Sequence, residues 1–97
     1  MPDINQSIPN MQLQQQVILI TGASSGFGRV SAQMLSERGH IVYGTSRKQA
    51  DSQGKVTMLT MDVTDPDSIQ QALSRIYSEQ GRIDVLINNA GMVFHLV

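Results

Sequence analysis

The chain has 97 residues, 40% of them apolar and 15% charged, with a net charge of −1 and no cysteine. That length gives room for one domain, and the near-neutral balance offers no electrostatic case for nucleic acid or an anionic membrane surface. The missing cysteines exclude disulfides and thiolate metal sites. The apolar runs are far shorter than the ~20 residues of a membrane span, and no basic segment leads into an apolar core as in a signal peptide, so a cytoplasmic protein is expected.

Residues 1–15 are rich in Asn and Gln, contain Pro2 and Pro9 and show no apolar period. They read as a flexible N-terminal extension, with the folded unit over residues 16–97. A strand is expected over 16–21, an unbroken apolar run bounded by a glycine turn. A helix follows over 27–38, with Val30, Met34 and Leu35 on one face with Phe27, Ala32 as a small packing residue and Gly39 as its stop. Residues 40–45 read as a second strand. The polar stretch 46–55 has room for no more than a helical turn, and 56–61 reads as a third strand. Thr64 or Asp65 then caps a helix that opens at Pro66, carries Ile69, Ala72, Leu73 and Ile76 at helical spacing and ends at Gly81. A fourth strand is expected over 83–87, and Asn88-Asn89-Ala90-Gly91 turns out of it.

Apolar strands alternating with amphipathic helices imply an α/β fold with a parallel sheet covered on both faces. Right-handed crossovers and one reversal give the strand order 3-2-1-4, the N-terminal and incomplete part of a doubly wound, Rossmann-type sheet. The ligand crevice is then expected between strands 1 and 4, above their carboxyl ends. Thr21-Gly22-Ala23-Ser24-Ser25-Gly26-Phe27-Gly28 joins the first strand to the first helix. Such a turn cradles a pyrophosphate, because glycines let the backbone approach the ligand and the helix N-terminus aims N–H groups at the phosphates. Ser24, Ser25 and Thr21 add hydroxyls for phosphate, ribose or the loop itself. Just past strand 2 the sequence reads Thr45-Ser46-Arg47-Lys48, with no acid until Asp51. The Arg47 guanidinium suits a 2′-phosphate, with Lys48 in support.

Thr21-Gly22-x-x-x-Gly26-x-Gly28 resembles the cofactor motif of the classical short-chain dehydrogenases/reductases. Asn88-Asn89-Ala90-Gly91 is similar to that family's second motif, and Asp62-Val63-Thr64 to its adenine-pocket segment. The resemblance covers residues 16–94. It implies a cofactor site from Thr21, Gly22, Ser24, Ser25, Gly26, Phe27, Gly28, Arg47, Asp62, Val63, Asn89, Ala90 and Gly91. In the resembling family a basic residue just past strand 2 marks preference for NADP over NAD. Asp62 would accept from the adenine amino group, with a local cap as the rival reading, and Val63 would donate through its backbone. One Asn of the second motif would serve the sheet, and the other, with Ala90 and Gly91, would lie along the adenosine ribose. No metal site is expected, and His40 and His95 have no matching partners.

The family transfers hydride between nicotinamide C4 and a carbonyl or alcohol carbon, using a Ser and a Tyr-x-x-x-Lys that follow the Asn-Asn-Ala-Gly turn. No such motif exists in this chain: Arg47 stands four residues after Tyr43, and Gly81 four after Tyr77. No catalytic residue is therefore assigned. The expectation is an N-terminal fragment of an NADP(H)-dependent short-chain oxidoreductase, marginally stable, aggregation-prone and inactive alone. Its parent is expected to be a homo-oligomer acting on a small carbonyl or alcohol. Two rival readings remain: a short non-catalytic nucleotide binder, and a partial sheet that docks onto another chain.

Overall fold

A computed structural model describes residues 14–52 and 54–89. The elements run β1 (Val17–Thr21), α1 (Gly26–Glu37), β2 (Ile41–Ser46), β3 (Val56–Thr60), α2 (Pro66–Gln80) and β4 (Val85–Asn88). Each boundary lies within two residues of its expected position. No helical turn forms in the described part of 47–55. The strands pair in the order β3-β2-β1-β4, all parallel, as the crossover argument requires.

Alternation along β1 divides the core. Val17 and Leu19 join Tyr43, Leu59, Ala72 and Ile76 under α2. Ile18 and Ile20 join Val42, Val56 and Ala32 under α1. The central strand is buried on both faces, which is why its sequence is continuously apolar.

The face of α1 differs from expectation. Gly28, Ala32 and Ser36 are buried, and Leu35 packs beside them. Phe27, Val30 and Met34 instead stand 84%, 55% and 48% exposed. The physical reason is the row of small side chains at four-residue spacing. It lets the helix axis lie close to the sheet, and the bulky apolar residues are turned to the flank.

Helix α2 starts as its sequence asks. Of the two expected caps it is Asp65 whose side chain accepts from Asp67 N–H, at 3.0 Å. Gly81 closes the helix in the left-handed region at φ 76°. The expected extension over 1–15 falls on residues outside those described, apart from Gln14 and Gln15. Gln15 Nε2 donates to Gly39 O at 3.0 Å, and Arg82 Nη2 donates to Gln15 O at 3.0 Å.

Candidate functional site

The connection from β1 to α1 turns on two glycines in the left-handed region, Gly22 at φ 65° and Gly26 at φ 60°. Gly28 is needed for a different reason. A Cβ there would overlap Gly22 O and lie 2.5 Å from Asn89 Nδ2. The first turn of α1 thus sits directly against the glycine loop.

The end of β4 braces that loop. Asn89 Nδ2 donates to Gly22 O at 3.1 Å, and Asn89 N–H donates to Thr21 Oγ1 at 3.0 Å. Thr21 Oγ1 in turn donates to Asn88 Oδ1 at 2.9 Å. Thr21 is buried, and of the three destinations open to its hydroxyl it takes the bracing one.

Ser25 is the extended N-cap of α1, but its side chain makes no capping bond, and the first turn of α1 carries no acid. In α2, by contrast, Asp65 and Asp67 fill those positions. The N–H groups and positive dipole end of α1 are therefore left without a side-chain partner where the glycine loop meets them.

Beside this loop opens a cleft of about 430 Å3. Gly22 and Ser24 form its wall beyond β1, residues 45–48 its wall at the end of β2, and residues 61–64 its wall beyond β3. Gly22, Ser24, Arg47, Asp62 and Val63, all expected at the site, are brought together there. Ser25, Gly26, Phe27, Gly28 and Asn89 do not line it. Gly28 and Asn89 instead lie against each other beside Gly22. Ala90 and Gly91 lie outside the described residues. The cleft lies over β1, β2 and β3, and part of the turn expected at a crevice between strands 1 and 4 lies outside the described residues.

The cleft is electrostatically mixed. Thr64 holds the Asp62 carboxyl below its ordinary range, first through its hydroxyl and then through its N–H, against slight desolvation. The Arg47 guanidinium pulls in the same direction across the cleft. The wall therefore offers a fixed carboxylate beside two cations, Arg47 and Lys48. That pairing suits a ligand with both a phosphate and a hydrogen-bond donor.

Sequence reasoning included Thr64 in the adenine-pocket segment and quoted Thr45 and Ser46 beside Arg47 without giving any of the three a role at the site, and it did not single out Met61; all four line the cleft. Thr64 carries a usable signal, since Asp-x-Thr is a pattern that closes an Asx turn. His40 has a structural partner: Gln16 N–H donates to its Nδ1 at 3.1 Å and so joins the starts of β1 and β2. No helix among the described residues is long and apolar enough to cross a membrane.

A parallel 3-2-1-4 sheet with a glycine turn running into its first helix defines a Rossmann-like α/β protein. This chain belongs to the short chain dehydrogenase family, which it matches over residues 16–96. It is 69% identical over 80 residues to the 3-ketodihydrosphingosine reductase of Bacteroides thetaiotaomicron, covering 82% of this chain and 30% of that protein. It is 41% identical over 91 residues to the 3-oxoacyl-[acyl-carrier-protein] reductase of Escherichia coli, covering 84% of this chain and 36% of that one. Among solved structures it resembles the ligand-free aldohexose dehydrogenase of Thermoplasma acidophilum, with a TM-score of 0.74 and 36% identity over 82% of this chain and 31% of that one. The chain thus spans about a third of the length of these relatives.

Proposed function

We propose that this chain forms the adenosine-binding part of an NADP(H)-dependent oxidoreductase that transfers hydride between the nicotinamide ring and a carbonyl or alcohol carbon. The observation that carries the reading is the cleft over β1, β2 and β3, which gathers Gly22 and Ser24 of the glycine loop with Arg47, Asp62 and Val63 on one ligand-sized surface. In this reading the backbone of the glycine loop and the N-terminus of α1 hold the pyrophosphate. Arg47, with Lys48, holds the 2′-phosphate through its planar donor fork. Asp62 accepts from the adenine amino group, and the Val63 N–H donates to the neighbouring ring nitrogen. Asn89 holds Gly22 in place and so shapes the loop that meets the phosphates. Bound NADPH supplies the hydride, and the acid–base group that completes the reaction is not among this chain's assigned residues.

The names of two relatives support a substrate class for the whole protein. Both are reductases of a 3-keto or 3-oxo compound. A 3-oxo carbonyl is therefore the substrate class we propose for the whole protein.

Titration with adenosine 2′,5′-bisphosphate and with 5′-AMP tests the cofactor reading. The unmodified chain is expected to prefer the 2′-phosphorylated ligand by about ten- to a hundredfold, the size of a charge-assisted contact. Arg47→Asp is expected to abolish or reverse that preference. Equal binding of the two ligands by the unmodified chain would overturn the NADP reading. NADPH-dependent reduction of a carbonyl by this chain alone would overturn the view that the acid–base group lies elsewhere.

A further inference from the structure

The wall beyond β3 is held more firmly than a surface loop needs to be. Asp62 O accepts from Asp65 N–H at 3.0 Å, closing a four-residue turn. Asp62 N–H donates to Ser68 Oγ at 2.9 Å. Asp62 Oδ1 accepts from both Thr64 N–H, at 2.9 Å, and Thr64 Oγ1, at 2.7 Å. Of the four N–H groups in this turn, only that of Val63 has no partner among the described residues. Val63 lines the cleft. Both donations from Thr64 fall on Oδ1 of Asp62, which leaves Oδ2 to take a donor from a ligand.

We propose that Ser68 and Thr64 are positioning residues that lock the Asp62-Val63 turn in the form that reads the adenine edge. The inference rests on the cleft being an adenosine site. Ser68 stands in the first turn of α2, so its bond to Asp62 N–H ties the turn to a rigid helix whose own start is fixed by the Asp65 cap. Thr64 fixes the carboxylate rotamer. Together they leave one acceptor, Asp62 Oδ2, and one donor, Val63 N–H, on adjacent residues of the turn. Adenine presents the complementary pair, an amino donor next to a ring-nitrogen acceptor. Hypoxanthine presents an oxygen acceptor next to an N–H donor and is mismatched at both positions. A turn already set before binding loses less conformational freedom when the base arrives.

The test is calorimetric titration of the full 97-residue chain with adenosine 2′,5′-bisphosphate and inosine 2′,5′-bisphosphate. Ser68→Ala and Thr64→Val are each expected to weaken the adenosine ligand about five- to tenfold. They are expected to leave the inosine ligand nearly unchanged, and the hydroxyl-retaining Ser68→Thr and Thr64→Ser are expected to keep full affinity. A merely structural role would weaken both ligands equally, and that result would overturn the proposal, as would unchanged affinity for the adenosine ligand. Asp62→Asn separates the proposal from the reading beneath it. If Asp62→Asn leaves adenosine binding intact, the adenine reading of Asp62 fails. If it weakens binding while Ser68→Ala and Thr64→Val do not, the positioning roles alone fail. Hydrogen exchange on the unmodified chain supplies a readout that needs no variant to fold. The Asp62 and Thr64 amides are expected to be protected before ligand is added and the Val63 amide only after. Unprotected Asp62 and Thr64 amides in the free chain would overturn the proposal.

Discussion

Gly28 is held from two sides, by the carbonyl of the turn before it and by an amide that arrives from the far end of the described chain. The Gly28→Ala variant has no room for its methyl group, because one obstacle is the Gly22 backbone and the other, Asn89 Nδ2, is bonded to that same carbonyl. Overpacking at such a point costs about 1–3 kcal/mol. Gly28→Ala is expected to lower the denaturation midpoint accordingly and to weaken adenosine 2′,5′-bisphosphate at least tenfold, since the loop must move away from the helix end. A variant that melts and binds like the unmodified chain would show that the loop is looser than its geometry. Asn89→Ala is expected to weaken the ligand less, because it removes one brace and leaves the turn free of overlap.

Most elements were legible in the sequence because each is written locally. Continuous apolar runs, glycine stops and Pro66 after a capping acid placed four strands and two helices without any tertiary information. The exposed side of α1 was not legible. Counting bulky residues at helical spacing selected Phe27, Val30 and Met34, whereas packing close to a sheet selects the small row Gly28, Ala32 and Ser36. The site divides in the same way. The roles of Thr21 and Asn89 as braces depend on contacts between residues far apart in sequence, and no local pattern announces them. The β1–β4 junction adds a prediction at this scale. Val17 N–H donates to Asp84 Oδ2 at 2.7 Å, and Arg82 bonds the same oxygen at 2.9 Å. These bonds, the Val17 N–H first, hold the Asp84 carboxyl below its ordinary range. A carboxyl depressed on folding adds stability above the unfolded value, about 3.9, and loses it as pH falls through the lower folded value. Val17 amide protection is therefore expected to be constant near neutrality and to fall below about pH 4. In Asp84→Asn that acid-dependent step is expected to disappear. Protection that is indifferent to acid in the unmodified chain would show that the carboxylate is not what secures this junction. The start of α2 gives a simpler case: Asp65→Ala is expected to cost about 1 kcal/mol in urea unfolding, and Asp65→Ser much less, because serine keeps the cap.

At the scale of the whole molecule, the two faces of the sheet are unequally finished. Under α2 the apolar residues converge on Ile76, which is fully buried. On the other side α1 seats its small row on the sheet and leaves Phe27, Val30 and Met34 exposed in one stripe along its flank. Leu86, 42% exposed, lies on β4, the last strand of the described sheet, whose outer edge has no partner among the described residues. A contiguous apolar stripe and an unpaired strand edge are the two surface features that favour association. The chain is therefore expected to self-associate as its concentration rises, measured as increasing apparent mass by light scattering. The two causes are separable. Val30→Lys with Met34→Lys alters only exposed positions and is expected to change folding stability by no more than about 0.5 kcal/mol each. If the stripe drives association, this double variant stays monomeric at concentrations where the unmodified chain does not. If the edge drives it, the double variant still associates, and Leu86→Lys on β4 suppresses association instead. Neither substitution touches the cleft over β1, β2 and β3, so nucleotide binding is expected to survive both. A soluble variant that binds adenosine 2′,5′-bisphosphate as the unmodified chain does would show that the surface driving association and the surface reading the nucleotide are independent.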